Sequence, residues 1–307
     1  AFDEEGKMLY GWVEDGGTEY NNVDNAPLYA DYFFGPNDTT TVNGVTYTGG
    51  AMVTGWYNYL DGIDEYDDEG DDSLWFYFNT STGKKTTDTQ KRINSLYYHF
   101  DYNGVMDSGW TEVGSESSAA TGSVYYYSGS DQGWKQRNAW VWAVPTEEQN
   151  PDDHNNDQYR WFYVNSAGAP VTGAKRINSK WYVFDEYGIM KSGLVALEEE
   201  KIATGVAIAD TISAEETDST EIKAGKYGKN IFFFSNDEEN DGAMKTGSNI
   251  KIDLADGTYT FGFAKSGKAL HGENSKKIYD HGILLDGGDM RYSVATVDGK
   301  SYVVGPT

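Results

Sequence analysis

Acid, base and nucleophile chemistry has few places to reside in this sequence. The chain has four histidines, His99, His154, His271 and His281, and no cysteine. None of the four stands in a Ser-His-Asp or H-E-x-x-H context. The lack of cysteine removes thiol nucleophiles, Cys-based zinc sites and disulfide frameworks together. The 49 acidic residues leave room for the carboxylate pair of a glycoside hydrolase, but no spacing singles one out. Two acidic runs, Asp61 to Asp72 (DGIDEYDDEGDD) and Glu147 to Asp157 (EEQNPDDHNND), supply the oxygens a hard cation wants. Neither has the D-x-(D/N)-x-(D/N)-G spacing of a calcium loop, so both read as solvated acidic loops, and no metal or cofactor is expected. What the composition does offer is stacking. Nine Trp and 24 Tyr bring apolar faces with polar edges, suited to lying against a ligand as well as to filling a core.

The elements that must position these rings are repeats. Lys91 to Trp110 reads KRINSLYYHFDYNGVMDSGW. Its aromatic run, Leu96 to Phe100, alternates as a strand with two differently used faces does. Asp101 to Gly104 follows, with Asn103 and Gly104 suited to positive φ in a tight hairpin turn, and Val105 and Met106 begin a second short strand. Lys175 to Leu194 (KRINSKWYVFDEYGIMKSGL) matches it at 12 of 20 positions. His99 takes the place that Val183 holds in this copy, which points to packing. Trp56 and Trp75 lie 19 residues apart, as do Trp142 and Trp161, so Trp56 to Trp110 and Trp142 to Leu194 read as two copies of a larger block. Weaker hairpins occur at Phe2 to Trp12, Gly50 to Trp56, Tyr125 to Tyr127, Phe232 to Gly247 and Tyr259 to Gly272. A hairpin of about 20 residues cannot bury an apolar face alone and needs neighbours of its own kind.

An aromatic strand, a Gly turn and then G-x-M-x-(S/T)-G-W resembles the cell-wall-binding repeats of choline-binding and glucan-binding surface proteins. The likeness covers most of the chain and is poorest at Leu197 to Asn230 and after Ser275. It implies an all-β fold of stacked β-hairpin repeats, solenoid-like, in two similar lobes with inserted loops and a diverged C-terminal part. The lobes are expected at 1–113 and 114–197, with the first half of Gly114 to Gly133 as linker and 198–307 as a diverged cap. Leu197 to Asn230 is expected to be a helix or an inserted hairpin.

Thin hairpins of this type stack ligands on their flanks, so the resemblance implies a non-catalytic carbohydrate-binding module. The favoured partner is an α-glucan of starch or dextran type, held by Trp56, Trp75, Tyr77, Trp110, Tyr125, Tyr127, Trp134, Trp140, Trp142, Trp161, Tyr163 and Trp181. Trp140 and Trp142, two apart on a strand, share a face and form one platform. The alternative is choline on teichoic acid, held in aromatic cages grouping Trp56 with Trp75 and Tyr77, Trp110 with Tyr125 and Tyr127, and Trp142 with Trp161 and Tyr163. A net charge of −25 and pI near 4.3 argue against nucleic acid and anionic membranes. No apolar segment is long enough to insert in a membrane. Because Ala1 falls inside a repeat, the chain is read as a piece of a larger multidomain protein, secreted or on the cell surface.

Overall fold

The computed structural model describes residues 1–20, 23, 25–36, 38–42, 45–60, 63, 66, 74–113, 123–129, 132–236 and 242–306. Among them the chain runs from β-hairpin to β-hairpin, broken by short helices at Ala26–Tyr29, Pro151–Asn155 and Ser219–Lys223. It divides into two compact units, residues 1–137 with 166–169 and residues 138–165 with 170–307. The acidic run from Asp61, apart from Ile63 and Tyr66, and the first half of the expected linker lie outside the described residues.

The repeat's tight turn is not where its Asn-Gly pair suggested. Strand Thr89–Ile93 pairs with Leu96–Phe100 through Asn94 and Ser95, whose φ values of 48° and 73° are both left-handed. Strands Gly173–Ile177 and Lys180–Phe184 repeat this through Asn178 and Ser179, at 47° and 71°. Two consecutive positive-φ residues give the two-residue loop whose twist matches its strands, and Asn accepts that conformation at little cost. At Asn103 and Gly104 the turn is wider and is organised by Asp101. Its carboxylate accepts from the Val105 amide at 2.8 Å, and its carbonyl accepts from the Gly104 amide at 3.0 Å. Asp185 does the same for Ile189 at 2.8 Å. The strand beyond is short: one bridge, Phe100 to Met106, in the first copy and two pairs in the second.

Stacking of hairpins uses a recurring contact. At five of the wide turns the residue just past the turn donates its amide to a carbonyl in the preceding hairpin. In the first unit Lys85 donates to Asp31 at 2.6 Å, Met106 to Trp75 at 2.8 Å and Lys135 to Tyr97 at 2.7 Å. In the second, Met244 donates to Trp181 at 2.8 Å and Ala269 to Ile231 at 2.7 Å. Phe76, Phe78 and Phe100 are fully buried in the first unit, as are Phe162, Phe184, Phe232 and Phe234 in the second. Such hairpins bury their apolar faces only against one another. The methionine and glycine of the motif are matched across neighbours. A Cβ on Gly133 would lie 2.2 Å from the Met106 sulfur, and one on Gly242 would lie 2.5 Å from that of Met190.

Leu197 to Asn230 proves to be a strand and a short helix. Ile208–Ile212 pairs with one side of Gly193–Leu197, opposite Ile231–Phe234, and Ser219–Lys223 brings Ile222 into the core beside Leu194 and Phe261. A five-stranded sheet and the hairpin of Ser293–Val297 with Lys300–Val304 follow, built without tryptophan. The acidic run at Glu147 corrects a second expectation, for it is not simply a solvated loop. Asn150 caps the Pro151–Asn155 helix by accepting from the Asp153 amide at 3.1 Å. Asp153 is buried and accepts two hydrogen bonds from Arg160, at 2.9 and 2.5 Å. A carboxylate that leaves water needs such partners.

Candidate functional site: two aromatic cages

The ladder decides which tryptophans correspond. Trp56 stands opposite Tyr77, and Trp140 stands opposite Tyr163, whereas Trp142 stands opposite Trp161, the place of Asn58 opposite Trp75. Equal sequence spacing had matched Trp56 to Trp142. The register matches it to Trp140, because the chain between the two strands is two residues longer in the second unit and the strand pairing does not shift to absorb it.

On that register each unit holds one cage. In the first, Trp56 lies 6.2 Å from Trp75 at 87° and 4.8 Å from Tyr98 at 68°, centroid to centroid. In the second, Trp140 lies 6.1 Å from Trp161 at 84° and 4.9 Å from Tyr182 at 72°. Near-perpendicular rings are a favourable aromatic arrangement and form the walls of a corner rather than a flat shelf. A methionine, Met106 or Met190, lines each corner, which encloses about 210 Å³ in the first cage and about 190 Å³ in the second. Trp134 and Gln132 add to the lining of the first. Burial pushes the Tyr98 phenol above its ordinary pKa, so this wall stays neutral at physiological pH.

The remaining expected residues fall in several places. Tyr77 and Tyr163 stand beneath the cages, 5.1 Å from Trp56 and 5.3 Å from Trp140. Trp110 meets Tyr126 at 5.0 Å, not Tyr125 or Tyr127, and Tyr127 is wholly buried, so the expected trio of Trp110, Tyr125 and Tyr127 does not form a cage. Tyr125 faces the Lys135 ammonium, 3.2 Å from its ring centroid. Trp181 is half-buried, and the closing position beside it is Ala174, opposite Val183. Trp142 is 50% exposed and stacks on Tyr159, 49% exposed, at 5.9 Å and 27°. It also touches Trp161 at 5.0 Å, so Trp140 and Trp142 flank one indole, with Trp140 in the cage and Trp142 on an open shelf.

Sequence reasoning missed Tyr98, Tyr182, Met106 and Met190. The signal was present, since both 20-residue copies place the same Tyr and the same Met at equal positions. One polar cluster outside the cages, His271, Asp280 and His281, brings ligand-type atoms within 4.8 Å of one another. Both ring nitrogens of His271 and Nδ1 of His281 already have protein partners. His271 meets Asp298 at 2.9 Å and accepts from the His281 amide at 3.1 Å, and His281 meets Asp280 at 2.7 Å.

No family model matches the chain. The chain is similar to glucosyltransferase-S of Streptococcus mutans serotype c, 26% identical over 232 residues, which is 68% of this chain and 14% of the length of that protein. Among solved structures it is similar to choline binding protein F from Streptococcus pneumoniae, with 18% identity and a TM-score of 0.47 over 86% of this chain and 83% of that one. CbpJ from Streptococcus pneumoniae TIGR4 is 17% identical, with a TM-score of 0.47 over 88% and 61% of the two chains.

Proposed function

We propose, for a chain made of the aromatic β-hairpin repeats shared by choline-binding and glucan-binding surface proteins, that each of its two cages holds a quaternary ammonium headgroup of the choline type. The chain then acts as a non-catalytic anchoring module of a secreted or surface-borne protein. The lining carries this reading. Trp140, Trp161, Tyr182 and Met190 offer as side-chain polar groups only two indole N–H groups and a phenol, and the first cage adds one indole and Gln132. A sugar ring enclosed there would leave hydroxyls on its rim without partners, at about 1–3 kcal/mol for each. A trimethylammonium has no hydrogen bond to lose, and each ring face attracts it by about 0.5–2 kcal/mol. The methionine thioether is polarizable and adapts to the methyl groups. A net charge of −25 adds a long-range attraction for cations.

Calorimetric titration with choline tests this reading. Two sites are expected, with Trp56→Ala and Trp140→Ala each removing one. An intact protein that takes up no choline would overturn it.

A second reading, α-glucan binding, is favoured by a different surface. Trp142 and Tyr159 form an open shelf bordered by Gln158 and Arg160, the kind of apolar face with a polar rim on which a glucose ring can stack and still keep its hydroxyls bonded. The likeness to a glucosyltransferase supports it. Electrophoresis through gels containing starch or dextran tests it, and migration unchanged by either polysaccharide would reject it.

A further inference from the structure

The register that builds the two cages also builds a third place of the same kind in the first unit, and there the chain supplies its own cation. Its four positions can be read off the ladder. Gln90 stands opposite His99, as Trp56 stands opposite Tyr77. Tyr97 occupies the position of Trp75, and Tyr125 that of Tyr98. Lys135 takes the position of Met106, and its amide donates to the Tyr97 carbonyl at 2.7 Å as the Met106 amide donates to the Trp75 carbonyl at 2.8 Å. The bridges agree, since Tyr127 pairs with Lys135 as Phe100 pairs with Met106. In this place Lys135 is 9% exposed. Its Nζ lies 3.2 Å from the Tyr125 centroid and 6.0 Å from that of Tyr127. The Arg137 guanidinium lies 5.4 Å and that of Arg92 5.8 Å from the Tyr97 ring.

We propose that Lys135 is a built-in occupant of this third aromatic site, its ammonium lying where the two open cages receive the cation of a ligand, and that this residue thereby sets the number of ligands the chain takes. The inference rests on the quaternary ammonium reading of the open cages and adds that cations are what this register receives. Two physical points favour it. A primary ammonium is strongly hydrated, and burying it without a hydrogen-bonding carboxylate is costly unless ring faces replace the water. The other lysine at the same register position behaves differently. Lys85 gives its protons to the carbonyls of Pro27 and Leu28, at 2.5 and 3.3 Å, and its nearest ring is Phe76, 5.7 Å away in the core. Lys135 is held over a tyrosine face, and burial pulls its pKa down to about 8, with Arg137 adding to the effect.

The experiment has two arms. In the first, choline is titrated calorimetrically into wild type and into the Lys135→Met, Arg137→Gln double variant, which removes the ammonium and one of the guanidinium groups at Tyr97. The expected stoichiometry rises from two to three. A wild type that binds two with a folded variant that also binds two overturns the occupant role alone. A wild type that binds none overturns the reading beneath it. The second arm uses only the native chain and so does not depend on the variant folding. In protein labelled with 13C at lysine Cε, the Lys135 signal is expected upfield of the other lysines because of the Tyr125 ring current, and saturating choline should leave it there. A Lys135 signal at the random-coil position, or one that choline moves, overturns the proposal.

Discussion

Trp140 and Trp142 lie two residues apart on one strand and flank the same indole, yet they meet different surroundings. Trp140 is walled in by Trp161, Tyr163 and Tyr182, while Trp142 stacks on the exposed Tyr159 and meets the cage only through Trp161. Trp142→Ala is therefore expected to leave choline stoichiometry and thermal stability unchanged, and to weaken retardation in starch gels if the shelf is used. A lost choline site in this variant would place Trp142 in the cage. Asp153 makes a second residue-scale case. Replacing it with Ala leaves Arg160 without its two hydrogen bonds and takes away the acceptor of the amide group of Asn150, the residue that caps the Pro151–Asn155 helix. The expected loss is about 1–3 kcal/mol, read from urea unfolding, and a loss below about 0.5 kcal/mol would show the pair to be ornamental.

At the scale of elements, the match between the methionine of one hairpin and the glycine of the next ties cage to fold. Gly133 has φ of 60°, and a Cβ there would meet the Met106 sulfur at 2.2 Å, whereas Gly109 has a similar φ of 67° with nothing within 4 Å. Gly109→Ala should cost only the backbone term, about 1 kcal/mol. Gly133→Ala should cost about 1–3 kcal/mol more, since Met106 must shift, and should weaken the first cage through that shift. Equal losses in the two variants would mean that the methionine has room to move. This element scale is also where the sequence reading went partly astray. Alternation in Leu96 to Phe100 announces a strand, but periodicity does not say which neighbouring segment pairs with it. The left-handed pair at Asn94 and Ser95 settled that in favour of Thr89–Ile93.

At the scale of the whole molecule, two buried lysines give a pH signature. Burial lowers Lys85 and Lys135 from 10.5 to about 8 each. Between about pH 8 and 10.5 the unfolded chain therefore holds more protons than the folded one, and their contribution to stability rises with pH across that window. Buried Tyr98, Tyr127 and Tyr279 are shifted the opposite way, above 10.0. Above about pH 10 the folded chain holds the extra protons, and stability falls. Relative to the Lys85→Met and Lys135→Met variants, the wild type should gain stability from pH 8 to 10 in urea unfolding. A flat difference over this range would mean that both lysines titrate normally in the folded chain.

Repeat identity, the all-β class and the aromatic character of the site were legible in the chain, because two 20-residue copies, a recurring Gly-x-Met and alternating aromatics each follow from local geometry. Of the eight residues that form the two cages, spacing alone placed Trp56 beside Trp75, but it set Trp161 beside Trp142 and Tyr163 where the cage sets it beside Trp140. Tyr98, Tyr182, Met106 and Met190 were not placed, for they come from the following hairpin and join the cage only through stacking. The correspondence of Trp56 with Trp140, and the burial of Tyr127, were likewise decided by tertiary structure. Sequence spacing counts residues through a loop, whereas a ladder counts hydrogen bonds, and a two-residue difference in loop length changes the first without touching the second.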